Sequence, residues 1–89
     1  MPAQAAATVP EVTGAVPSPM VGTVYLAPQP GAPPFIAAGD TVREGEVLLI
    51  IEAMKVMNQI LAPRAGRVTA ILVADGAPVE YGQALVVLD

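Results

Sequence analysis

GDTVREGEVLLIIE, residues 39–52, and GAPVEYGQALVVLD, residues 76–89, align without a gap. Gly39 falls on Gly76, Gly45 on Gly82, Val42 on Val79, Leu48 on Leu85 and Glu52 on Asp89. Upstream, PMVGTV (residues 19–24) falls on PRAGRV (residues 63–68) in the same way. The offset is 37 in the first pair of blocks and 44 in the second, so the first half carries seven extra residues, the length of PQPGAPP at 28–34. Both halves are short runs of Val, Ile, Leu, Thr and Tyr, broken by Gly or Pro about every ten residues, which is the pattern of strands and turns. Each half is too small to bury its own apolar face. Together they are expected to form an all-β fold, two sheets or a flattened β-barrel packed about a pseudo-twofold axis.

That axis also assigns positions. The first half leaves its last strand at Glu52, reverses at Ala53, Met54 and Lys55, and re-enters at Val56; the equivalent place in the second half holds Asp89 and, upstream, Val12. The turn around Lys55 is therefore expected at one pole and both chain ends at the other.

Composition narrows the chemistry. The chain has 89 residues with no cysteine, histidine or tryptophan. It therefore offers no thiolate nucleophile, disulfide, imidazole base or usual zinc or haem ligand, and no catalytic or metal-ligating residues are expected. Four basic side chains against eight acidic ones give a formal charge of -4, opposite to what a phosphate backbone attracts, so no nucleic-acid partner is expected. No apolar run approaches the roughly 20 residues of a membrane-spanning helix, and the amino terminus does not read as a signal peptide. The expectation is a soluble, intracellular protein without a membrane partner. Residues 1–17 are rich in alanine and proline with a single charge, Glu11, and read as a flexible linker, although its end near residues 12–16 could join the fold as an edge strand. Residues 18–89 read as the folded domain.

Lys55 is the only lysine, set in EAMKVMNQI between two strands, 47–52 and 56–61. Two-residue hairpin turns favour Asn-Gly, Asp-Gly or Gly-X, because one or both central residues need positive φ. None of these is present, so Met54 or Lys55 must be held in a disfavoured backbone region, and a broken local rule inside a consistent repeat points to function. A lysine amine attacks only in its neutral form, a small minority at neutral pH, so Lys55 reads as a residue that another enzyme modifies. The plain alternative is a solvated hairpin lysine in an interaction module.

These residues carry a resemblance. EAMKVMNQI, with SPMVGTVY before it and APRAGRVTAILVADGAPVEYGQALVVLD after it, resembles the biotinyl domain of the biotin carboxyl carrier protein family of multisubunit acetyl-CoA carboxylase, over residues 18–89. The resemblance implies a flattened barrel of two four-stranded antiparallel sheets. It also implies covalent biotin on Lys55, with Glu52, Ala53, Met54 and Val56 as the tip and ligase-recognition residues. Val56 departs from the family's usual methionine. A protruding thumb is implied at about residues 26–35, either a stiff surface loop or a flap that leans toward the biotin.

The implied function is non-catalytic carriage. A biotin protein ligase modifies the lysine, a biotin carboxylase subunit adds carboxylate using ATP, and a carboxyltransferase subunit passes it to acetyl-CoA to give malonyl-CoA for fatty acid biosynthesis. Another biotin-dependent carboxylase is an alternative, and a lipoyl carrier a weaker one, because lipoyl domains place an acidic residue where Met54 stands. The implied compartment is the bacterial cytoplasm or the plastid stroma. Of the remaining residues, Met20 and Met57 read as core fillers, the paired glycines as turns or bulges, and Glu44, Glu46 and Glu80 as solvated.

Overall fold

The structure, a computed structural model, describes residues 13–89. Eight strands follow in order: β1 (Ala15–Pro17), β2 (Gly22–Tyr25), β3 (Thr41–Val42), β4 (Val47–Ala53), β5 (Val56–Leu61), β6 (Gly66–Ile71), β7 (Pro78–Val79) and β8 (Ala84–Leu88). They form two four-stranded antiparallel sheets, ordered β1-β8-β6-β3 and β5-β4-β2-β7. The fold unit starts before Ser18. Val16 is buried and pairs with Val86 in β8, so residues 15–17 belong to a sheet edge, where Pro17 withholds no needed donor. The linker reading of residues 1–12 falls outside the described residues.

The sequence repeat reappears as register. Gly22 pairs with Val79 and Gly66 with Val42; Val24 pairs with Ile51 and Val68 with Leu88; Val16 pairs with Val86 and Ile60 with Leu49. Every such couple is related by the offsets of 44 and 37. The turns repeat as well: Gly82 N–H donates to Ser18 O at 2.7 Å, and Gly45 N–H to Ala62 O at 2.8 Å. Gly39 and its mate Gly76 take φ values of 99° and 81°, a left-handed backbone in which glycine meets no Cβ penalty.

Inward positions from both sheets meet in one core, in which Val24, Leu49, Ile51, Val68, Leu85 and Val86 are fully buried. Burying each such side chain contributes about 1.5–3 kcal/mol. A register shift between Val47 and Leu49 turns Leu48 inward too, while Ile50, paired with Tyr25 and Gln59, is buried but lies outside the main core cluster. Ser18, the only serine, is 1% exposed, donates to Met20 O at 2.6 Å, and is a satisfied core hydroxyl rather than a nucleophile.

The β4–β5 ribbon sets the poles. At its open end Val47 pairs with Leu61, and the chain passes through residues 62–65 to Gly66, where a Cβ would stand 2.8 Å from the Asp89 carbonyl oxygen. Gly14 is beside it, accepting Leu88 N–H at 2.9 Å. The closed end is the turn at Met54 and Lys55, about 20 Å along the strands. Turn and described chain ends occupy opposite poles.

Candidate functional site

The apex of the β4–β5 hairpin is two residues long. Ala53 pairs with Val56, and Met54 and Lys55 between them have φ values of 52° and 66°. Positive φ at both central positions is the signature of a type I′ turn, whose twist matches the strands it joins. Neither residue is glycine, asparagine or aspartate, so each position is strained by an amount of order 1 kcal/mol or more. Met54 is 95% exposed, and Lys55 and Val56 are also exposed, so no packing of these side chains offsets that strain.

Below the apex the stem is held firmly. Asn58 donates from Nδ2 to Ile51 O at 3.3 Å and to Val56 O at 3.0 Å, bracing both strands of the ribbon. Gly22 lies against β4 on its other side. A Cβ there would run into the Glu52 carbonyl oxygen and stand 2.7 Å from Ile51 Cγ2, so this glycine and its mate Gly66 serve close backbone approach within regular strand pairing, not the turns or bulges the sequence suggests. Glu52, half-buried opposite Met57, accepts a hydrogen bond from the Tyr25 hydroxyl at 3.1 Å. That bond, with the repulsion of the Glu52 and Asp75 charges, raises the ionisation of Tyr25 above the ordinary tyrosine value.

The seven extra residues lie in a loop pinched at its base, where Phe35 N–H donates to Leu26 O at 2.9 Å. Ala32 N–H returns to Gln29 O at 3.1 Å, and Asp75 Oδ1 accepts Leu26 N–H at 2.8 Å. The loop stands over a cleft of about 560 Å³ lined by Tyr25, Met57, Asp75 and loop prolines 28, 30 and 34. Met57 is thus a half-exposed cleft residue and not a core filler, because its register opposite Glu52 turns it outward. Met20 does pack against the core. Glu44, Glu46 and Glu80 are exposed, and Glu46 additionally accepts Arg43 N–H at 2.7 Å to close its turn.

Glu52, Ala53, Met54, Lys55 and Val56 therefore stand together on one hairpin end, outside the lining of the cleft. Sequence reasoning passed over Tyr25 and Asn58. Asn58 could have been noticed as an amide inside a strand, a position that demands backbone partners. Chemically, a primary amine on an exposed, solvent-facing apex is open to acylation by another protein's active site. Among the described residues no group of acidic side chains could hold a metal ion, and no helix is long and apolar enough to cross a membrane.

Comparison with known proteins adds four findings. Residues 14–88 match the family described as "Biotin-requiring enzyme". The biotin carboxyl carrier protein of acetyl-CoA carboxylase from Streptococcus pyogenes is 56% identical over 71 residues, 80% of this chain and 43% of that protein. The chloroplastic biotin carboxyl carrier protein of acetyl-CoA carboxylase 2 from Arabidopsis thaliana is 48% identical over 71 residues, 80% of this chain and 28% of that one. In both cases the chain spans less than half of the relative's length. Among solved structures, a single-chain, multi-domain long-chain acyl-CoA carboxylase superposes with a TM-score of 0.69 and 31% identity, covering 92% of this chain and 8% of that chain.

Proposed function

This chain belongs to the biotin-requiring enzyme family, and on that premise we propose that it is the carrier domain of an acetyl-CoA carboxylase, with biotin joined as an amide to Lys55 Nζ. The observation that carries this reading is the only lysine of the chain standing on an exposed two-residue apex, at the pole opposite the ends of the described residues. Bound biotin supplies reversible carriage of a carboxyl group. The chain's own residues do three other things.

Met54 and Lys55, in left-handed backbone, lift the amine clear of the sheet so that a ligase and two successive active sites can reach it. Asn58 and the Gly22 contact keep the stem from splaying when a partner takes hold of the tip. Attachment at the far pole leaves the apex free to travel, which replaces a bimolecular search with a local concentration on the order of millimolar when the tether spans both sites. The cleft under loop 26–35 offers an apolar resting surface beside the stem.

The partners in this reading are a biotin protein ligase, a biotin carboxylase subunit and a carboxyltransferase subunit, with no nucleic acid and no membrane. Bacterial and chloroplastic relatives support the bacterial cytoplasm or plastid stroma as its compartment. Amide formation removes the lysine charge, leaving three basic groups against eight acidic ones and a formal charge of -5. The test is transfer: purified, biotinylated domain should support acetyl-CoA carboxylation by biotin carboxylase and carboxyltransferase subunits, and Lys55→Arg should support none. Activity of Lys55→Arg equal to wild type would refute the assignment.

A further inference from the structure

The two halves of the fold superimpose in register, so the places where they differ are informative. One is the apex, the β4–β5 turn, and another is the seven-residue insertion at 28–34, which has no counterpart in the second half. A third lies between them. Tyr25 and Glu52 project from the outer face of one sheet, one register step apart across β2 and β4: Tyr25 is opposite Ile50 and Thr23 opposite Glu52. This diagonal separation, about 7–8 Å between backbones, is within reach of a tyrosine and a glutamate. Their mates by the repeat are Thr69 and Asp89. Thr69 uses its hydroxyl on Val87 O at 3.2 Å, and no tyrosine stands near Asp89 to make the corresponding bond. The Tyr25–Glu52 bond therefore belongs only to the half that carries the apex, and only to the face over which the loop stands.

From this asymmetry we infer that Tyr25 is a positioning residue for modification of Lys55: its hydroxyl fixes the Glu52 carboxylate beside the apex as a preset contact for a cationic side chain of the ligase. The inference rests on the carrier reading above. Glu52 sits one residue pair beneath the turn-flanking pair Ala53 and Val56, so its charge borders the surface that any protein seizing Lys55 must cover. A free glutamate side chain loses rotamer freedom when it is captured, whereas one already bound to Tyr25 has lost it beforehand. The raised ionisation of Tyr25 agrees with a neutral phenol donating to a charged carboxylate across the working pH range. Tyr25 is followed directly by Leu26, whose N–H is fixed by Asp75, so the donor itself is anchored at the loop base. Specificity for a docking partner is set here by a carboxylate held at a defined angle, and charged rim contacts of this kind act chiefly on encounter and capture.

The test is the steady-state kinetics of a biotin protein ligase acting on the whole chain with biotin and ATP. Tyr25→Phe removes one oxygen and should raise KM for the carrier about fivefold with kcat nearly unchanged, the scale of a single hydrogen bond. Glu52→Asp keeps the charge but falls one methylene short of Tyr25, and should raise KM to a similar degree. In Glu52→Gln the added Tyr25→Phe change should cost nothing further, because Tyr25 acts through the carboxylate. Added salt should raise the wild-type KM more steeply than that of Glu52→Gln. Thermal unfolding midpoints within a few degrees of wild type would separate these effects from misfolding. A wild-type KM for Tyr25→Phe, or losses that multiply in the double variant, would overturn the inference while leaving the carrier reading intact. Failure of the ligase to modify wild-type chain would overturn both.

Discussion

Met54 and Lys55 hold backbone angles that asparagine or glycine would adopt at lower cost, and the side chain of Met54 contributes almost nothing to packing. Met54→Asn should therefore stabilise the fold by about 0.5–1 kcal/mol, read as a higher thermal or denaturant midpoint, and an unchanged or lower midpoint would show that the turn is not strained. Tyr25 gives a second residue-level expectation. Its neutral phenol is the donor to Glu52, so ionisation in the folded state is raised above the ordinary value of 10.0. The stabilising contribution of the bond is complete below that value and disappears as pH climbs through the higher folded-state value. Ultraviolet titration in a Tyr81→Phe background should give a Tyr25 midpoint above 10.0, and Glu52→Gln should bring it down. Lys55 was legible from uniqueness and an ill-suited turn. The Tyr25–Glu52 pair was not, because it joins residues 27 apart whose contact depends on which outward neighbours the register places diagonally.

At the scale of elements, β4 shows how much the repeat dictates. The block 39–52 and its copy were enough to expect matched sheets, and strand register then follows the offsets of 37 and 44. What the repeat hid was the purpose of individual matches: Gly22 and Gly66 look like turn glycines but mark where one backbone presses on another. Because the atoms in the way at Gly22 are backbone oxygen and a buried isoleucine methyl, Gly22→Ala should destabilise the fold by about 2–4 kcal/mol in urea unfolding, and a loss under 1 kcal/mol would argue that β2 can shift freely. Residues 28–34 give the opposite expectation. The second half makes the same β-architecture without them, and the core contacts of the segment come from Leu26, Phe35 and Ile36 outside it. Deleting 28–34 should move the thermal midpoint by only a few degrees, and loss of the cooperative transition would make the loop part of the framework.

The whole molecule is a two-pole object: one end gathers the described chain ends and the Gly66–Asp89 contact, the other displays a strained turn. The poles were readable from the repeat alone, since its offsets set Asp89 and the stretch near Val12 at the place equivalent to the turn. The start of the fold was readable only as an alternative, an edge strand near residues 12–16, because a three-residue edge strand ending in proline has too little pattern to separate it from the alanine- and proline-rich stretch before it. Carriage needs both poles, a fixed base and a single modifiable group at the summit. Intact mass and peptide mapping after co-production with a biotin protein ligase test this most directly. The prediction is one biotinyl group per chain, located on Lys55 and lost in Lys55→Arg. An unmodified chain, a lipoyl adduct, or biotin retained in Lys55→Arg would contradict it.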